Sequence, residues 1–353
     1  METTEGLVDW ELATRIAGRL AAPGPVADRA ELTALVDELR DAAGRAAVHA
    51  SAITGLAAAD GTPPEQVSTV LVVDRPRWAQ ANAEVFAAMT GPLAGAAPSA
   101  TARAGAAVQV GGVLALLSGK VLGQFDPFTS DARGSSRGRL LLVAPNVLHH
   151  ERRLKVDPSD FRLWVALHEQ THALQFAAAP WLADHLRTRA AELLTDLAAD
   201  KALVPRVGEL LGAVARAVTG GADDGVGVLD LLSTRQREVF EEVGAVMALL
   251  EGHADVAMDE VGPRVVPSVR KIRKAFEARR DEAARSRGVD RVLRRLLGLD
   301  TKLAQYRDGA AFVRAVRKEV GLDGLNAVWT SADHLPLPQE IVDPRAWVRR
   351  VHG

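Results

Sequence analysis

Apolar positions along this chain recur mostly at three- and four-residue intervals, and the pattern predicts a mainly α-helical protein with at most a small β-sheet. Residues 7–22 place Leu7, Trp10, Leu12, Ile16 and Leu20 among charges, as an amphipathic helix does, until Pro23, Gly24 and Pro25 break it. A second helix is expected over 28–59, weakened at Gly44 and Gly55, with a loop at 60–64. Residues 71–73 read either as a short strand or as the lead into a helix over 78–89. Residues 91–104 show no period and read as a loop rich in Gly, Ala, Pro and Ser. Residues 106–122 are apolar except for Gln109, Ser118 and Lys120. This run falls short of the ~20 clean residues of a membrane span, so a buried central helix is expected. Residues 139–145 form a short apolar run between turn signals and are the best strand candidate.

Helical spacing continues beyond Pro158, over 181–199, 203–218 and 234–258, with a loop at 220–225. In the 234–258 helix, Val239, Val243, Val246, Leu249 and Leu250 share an inner face. Residues 264–295 are rich in Arg and Lys. Acidic residues (Glu277, Asp281, Glu282, Asp290) interrupt the basic run, and Val269, Ile272 and Phe276 sit at helical spacing. A solvated amphipathic helix is therefore expected there, not a nucleic-acid surface. Further helices fall in 296–320, and the tail turns at Pro336, Pro338 and Pro344. No repeat and no domain boundary is visible. The expected organisation is a single domain over 1–353, two-lobed about a metal cleft near 160–260, with 1–64 as a possible N-terminal helical extension.

Composition sharpens this picture in three places. Hydrophobic residues make up 48% and charged residues 25%, a globular balance, while aromatics are only 4%, so the core must be Leu, Val and Ala. The net charge of −2 gives no bulk attraction to nucleic acid or to an anionic membrane. With no cysteine, any metal must be held by His, Asp or Glu. The first residues show neither a basic nor an apolar leader region, and a cytoplasmic location is the expectation.

The candidate chemistry lies in the helix beyond Pro158. His168, Glu169, Gln170, Thr171 and His172 form an H-E-x-x-H motif within an apolar stretch running from Trp164 to Phe176. Positions i and i+4 of a helix lie on one face, so His168 and His172 can point at one metal ion. Glu169 then projects beside the metal, where its carboxylate can take a proton from a metal-activated water. Two histidines and a glutamate on one buried face would be costly without a metal.

Such a site needs a third protein ligand. Glu251 and Asp255 stand at i and i+4 on the 234–258 helix. Glu251 is the favoured ligand, and His253 competes for the role from two residues along. Asp255 could accept the remaining ring N–H of a ligating histidine and so fix its tautomer. Tyr306, the only tyrosine, or His253 could donate a hydrogen bond to an oxyanion, although a buried, backbone-bonded tyrosine fits Tyr306 equally well.

His168–His172 followed by Glu251 and Asp255 resembles the gluzincin arrangement, in which a later E-x-x-x-D helix completes the metal site. More closely, the chain resembles a zincin-like hydrolase family labelled coenzyme F420 biosynthesis-associated and found mainly in actinobacteria. The similar segments include 122–128, 141–146, 160–169, 251–255, 326–329 and 343–347. The resemblance implies a mostly helical zincin-like fold holding Zn²⁺. It names no substrate, and the F420 label reflects genomic association. In zincins, a strand beside the metal helix often binds extended peptide, a role the resemblance extends to 139–145.

Motif and resemblance together lead to the expectation of a zinc-dependent hydrolase of the metallopeptidase type. His168, His172 and Glu251 hold the metal, Glu169 is the general base, and the partner is a peptide or a small amide. No nucleic acid and no membrane span are expected. The rival readings are a non-catalytic zinc-binding scaffold and a metal-dependent enzyme acting on a small molecule of F420 metabolism.

Overall fold

A computed structural model describes residues 7–90, 99–129, 137–199, 233–285 and 299–353. The elements, in chain order, begin with α1 (Trp10–Leu20), α2 (Arg29–Thr54), β1 (Thr69–Val73), α3 (Arg75–Thr90) and α4 (Ala100–Ser118). Next come β2 (Gly123–Asp126), β3 (Arg139–Val143), α5 (Ala144–Leu154), α6 (Pro158–Ala178) and α7 (Trp181–Ala199). The last are α8 (Thr234–Glu260), α9 (Val269–Arg285), α10 (Leu299–Asn326), α11 (Pro338–Val342) and α12 (Pro344–His352). The mainly helical architecture with a small sheet is the one the pattern predicts. The expected helix at 203–218 and the loop at 220–225 lie outside the described residues. The chain divides into two compact units, residues 1–187 with 257–269 and residues 188–256 with 270–353.

In the first unit, side-chain caps set the helix starts. Asp9 accepts from the Leu12 amide at 2.9 Å and Asp28 from the Glu31 amide at 2.8 Å. The inner face of α2 is Leu35 and Leu39 followed by Ala42, Ala43, Ala46, Ala47 and Ala50, all buried. So small a face lets α6 lie close along it. Gly55 adopts the left-handed conformation at φ 66° and ends α2 five residues before the expected boundary. Residues 7–64 are thus packed into this unit, with α1 against α3 and α4.

The sheet has the order β1-β3-β2. β3 pairs parallel with β1 (Leu71 beside Leu141) and antiparallel with β2 (Gly123 beside Leu142). All five β3 residues are buried. The expected strand stops at Val143 because Pro145 sits in the first turn of α5. Buried ion pairs tie these layers together. Arg139 of β3 reaches Asp126 of β2 at 2.8 Å, and Arg162 of α6 reaches Glu151 of α5 at 2.7 Å and also pairs with Glu38 of α2. Burial pushes the Glu151 carboxyl above its usual range even though Arg162 opposes this.

The apolar run expected to be a buried central helix begins earlier and is less covered than that. Ser99 caps α4, which therefore takes up residues 100–104 of the expected loop. Ala107, Gly111, Leu114 and Ala115 are buried, in an interface where α4 packs against α1 and α3. A Cβ on Gly111 would stand 2.7 Å from the Ala13 carbonyl oxygen, so only glycine permits this approach of α1. Val108 remains 55% exposed on the outer face. By length and composition alone, α4 is long and apolar enough to cross a membrane.

In the second unit, α10 packs with α11 and α12 around Phe312 and Trp347, whose ring centroids are 5.8 Å apart. The Trp347 indole donates to the His334 carbonyl at 2.8 Å. Gly252 of α8 and Gly309 of α10 meet backbone to backbone. A Cβ on Gly252 would stand 2.2 Å from the Gly309 carbonyl carbon.

Candidate metal centre

α6 carries the motif and is the most enclosed helix of its unit. Pro158 opens it, and Asp157 accepts from the Asp160 amide at 3.0 Å. From Phe161 to Gln175 every side chain but one is buried, and the exception is His168, which is intermediate. Gln170 and Thr171 are fully satisfied polar residues. The Gln170 amide donates to the Ala43 carbonyl at 3.0 Å, and the Thr171 hydroxyl to Leu167 at 2.8 Å. Gln170 thereby fastens α6 to α2.

The two histidines face each other. Their ring centroids are 4.7 Å apart at an interplanar angle of 87°, and their Nε2 atoms are 3.2 Å apart. Each Nδ1 has an acceptor. His172 Nδ1 lies 2.9 Å from Gln175 Oε1, and His168 Nδ1 lies 3.1 Å from the Met258 sulfur. An amide oxygen and a thioether only accept, so these two contacts favour the Nδ1–H tautomer of each ring. Both Nε2 lone pairs then converge on one point. At 3.2 Å two lone pairs repel unless a cation lies between them.

One carboxylate oxygen of Glu251 joins this pair. The candidate ligand atoms of His168, His172 and Glu251 all lie within 4.8 Å of one another. Glu251 and Met258 are seven residues apart on α8, two turns along one helix face. The group offers a metal ion two nitrogen donors and one oxygen donor.

Glu169 is only 6% exposed and lies against β2. A Cβ on Gly123 would stand 2.6 Å from Glu169 Cγ and 2.8 Å from Oε1. The bare glycine backbone is what leaves room for the carboxylate. Two residues on, Phe125 packs its ring on Phe176 of α6, with centroids 5.6 Å apart.

Two of the remaining sequence candidates have partners in the structure. His253 is buried with its ring 5.4 Å from that of Trp329. Asp255, expected to accept a histidine N–H, pairs with Arg273 of α9 at 3.3 Å. Tyr306 falls on α10, but its side chain lies outside the described residues. Three contributors were missed from sequence: Gln175, Met258 and Gly123. The spacing of Gln175, three residues after His172 in a buried helix, was a usable signal. Gly123 gave none, because its contact arises from sheet pairing.

No curated protein is significantly similar in sequence. A solved structure from Chloroflexus aurantiacus, described as a candidate hydrolase with a novel fold, is similar at 30% identity and TM-score 0.66, covering 98% of each chain. The family model for zincin-like metallopeptidases matches residues 8–348. This chain therefore belongs to the zincin-like metallopeptidase family.

Proposed function

We propose that the protein is a zinc-dependent hydrolase that cleaves an amide bond, with a peptide as the simplest substrate. The observation that carries this reading is the convergence of the His168 and His172 Nε2 atoms at 3.2 Å, with a Glu251 oxygen in the same group. Tetrahedral zinc with ~2.05 Å bonds spaces its ligands about 3.3 Å apart, close to the observed separation. When bound, zinc would polarise the scissile carbonyl and acidify a water. Glu169 stands on the same helix beside the ligands. It takes the proton of the attacking water and hands it to the leaving amine.

A place for the substrate follows from the sheet. β3 is paired on both sides, so the edge role expected of it passes to β2. The Leu122 carbonyl accepts from the Val143 amide at 2.9 Å. Antiparallel alternation then turns the N–H and C=O of Gly123 and Phe125 outward. An extended peptide pairing there would run past Glu169.

The test is hydrolysis of a quenched-fluorescent peptide library by the purified protein and by Glu169→Gln. The variant should keep its zinc and lose about 10²-fold or more in rate. Parental turnover in that variant would refute the role of Glu169. Zinc-loaded parent protein that cleaves nothing would instead support a non-catalytic scaffold.

A further inference from the structure

We infer that Gln175 and Met258 are the positioning residues of this centre and that they set both histidines in the tautomer that presents Nε2. The inference deepens the metal-site reading above and rests on its ligand pair. Gln175 is fully buried and one turn beyond His172, with its Oε1 at 2.9 Å from Nδ1. Met258 is 4% exposed, with its sulfur at 3.1 Å from His168 Nδ1. Metal-bound histidines commonly pass their second N–H to a carboxylate, a carbonyl or water. Here an amide oxygen and a thioether do it, and both are neutral.

That choice has a chemical consequence. A carboxylate partner would draw the Nδ1 proton toward itself, making the ring a stronger donor and quenching part of the metal's charge. Neutral acceptors fix the tautomer without this. With Glu251 as the lone anionic ligand among the described residues, a divalent ion would keep a net charge of about +1, which favours water activation. Gln175 is the stronger acceptor and should dominate, since a thioether accepts weakly.

The experiment has two arms. The first is nitrogen-15 NMR of the metal-free protein at a pH where both rings are neutral. The parent should show His172, the ring held by the stronger acceptor, as the Nδ1–H tautomer. Gln175→Leu should shift His172 toward a tautomer mixture, and Gln175→Glu should restore the single form. The second arm is zinc affinity by chelator competition, read beside the melting temperature of the metal-free protein. Gln175→Leu should weaken zinc binding about 10- to 100-fold. Gln175→Glu should bind at least as tightly as the parent, and Met258→Leu should lose less than Gln175→Leu. If Gln175→Leu lowers only the melting temperature, leaving ring signals and zinc affinity at parent values, Gln175 is structural packing and the inference falls. The NMR arm needs no metal and no substrate, so it stands apart from any failure of the hydrolase reading.

Discussion

Gly123→Ala puts a methyl group where the structure holds the Glu169 side chain. The added Cβ would stand 2.6 Å from Glu169 Cγ, whereas ordinary contact begins at 3.4 Å, so the two must separate by roughly 0.8 Å. The strand is the stiffer partner. β2 is paired to β3, Asp126 is held by Arg139 at 2.8 Å, and Gln124 exchanges two hydrogen bonds with Asn82 at 3.0 and 3.1 Å. The carboxylate is therefore the part that gives. A misplacement of about 1 Å in a catalytic group costs up to ~10²-fold, so kcat/KM should fall roughly 30- to 100-fold, or about 2–2.7 kcal/mol. The assay is library hydrolysis beside zinc content and melting temperature. Zinc should stay, because Gly123 touches the base and not the ligands. Full activity in a folded Gly123→Ala protein would show that the base does not act from this position.

Two further predictions concern stability. Gly252→Ala would push a Cβ to 2.2 Å from the Gly309 backbone, and the helices would have to part by more than 1 Å. Urea unfolding should show a loss of about 3 kcal/mol or more, and a loss under ~0.5 kcal/mol would rule out this close crossing. The Glu151 carboxyl, raised by burial, binds its proton more readily folded than unfolded. Its contribution to stability is present below pH 4.5 and is lost as pH rises through its folded value. Relative to the parent, Glu151→Gln should therefore gain stability as pH rises through that window, and the opposite slope in urea midpoints would contradict the assignment.

The legible parts of this protein are those set by local spacing. Helical periodicity predicted α1, α2, α6 and α8, and the i, i+4 pair put His168 and His172 on one face before any coordinates were known. The parts that sequence hid depend on pairing between distant segments. β2 is four residues of Gly, Gln, Phe and Asp, a composition poor in strand formers, and it exists because β3 offers it a ladder. The same pairing delivers Gly123 to Glu169. For Asp255, spacing gave the helix face but could not reveal that Arg273 of α9 would be its partner at 3.3 Å. The apolar run of α4 read as an interior helix because composition reports hydrophobicity and not coverage. Its small residues serve a close approach to α1 on one face only.

The most direct test of the account is the metal content of the purified protein by plasma mass spectrometry, beside His168→Ala, Glu251→Ala and His253→Ala. Close to one zinc per chain is expected in the parent and in His253→Ala, and loss in the other two variants. Zinc retained by Glu251→Ala, or no metal in the parent after growth with zinc, would contradict it.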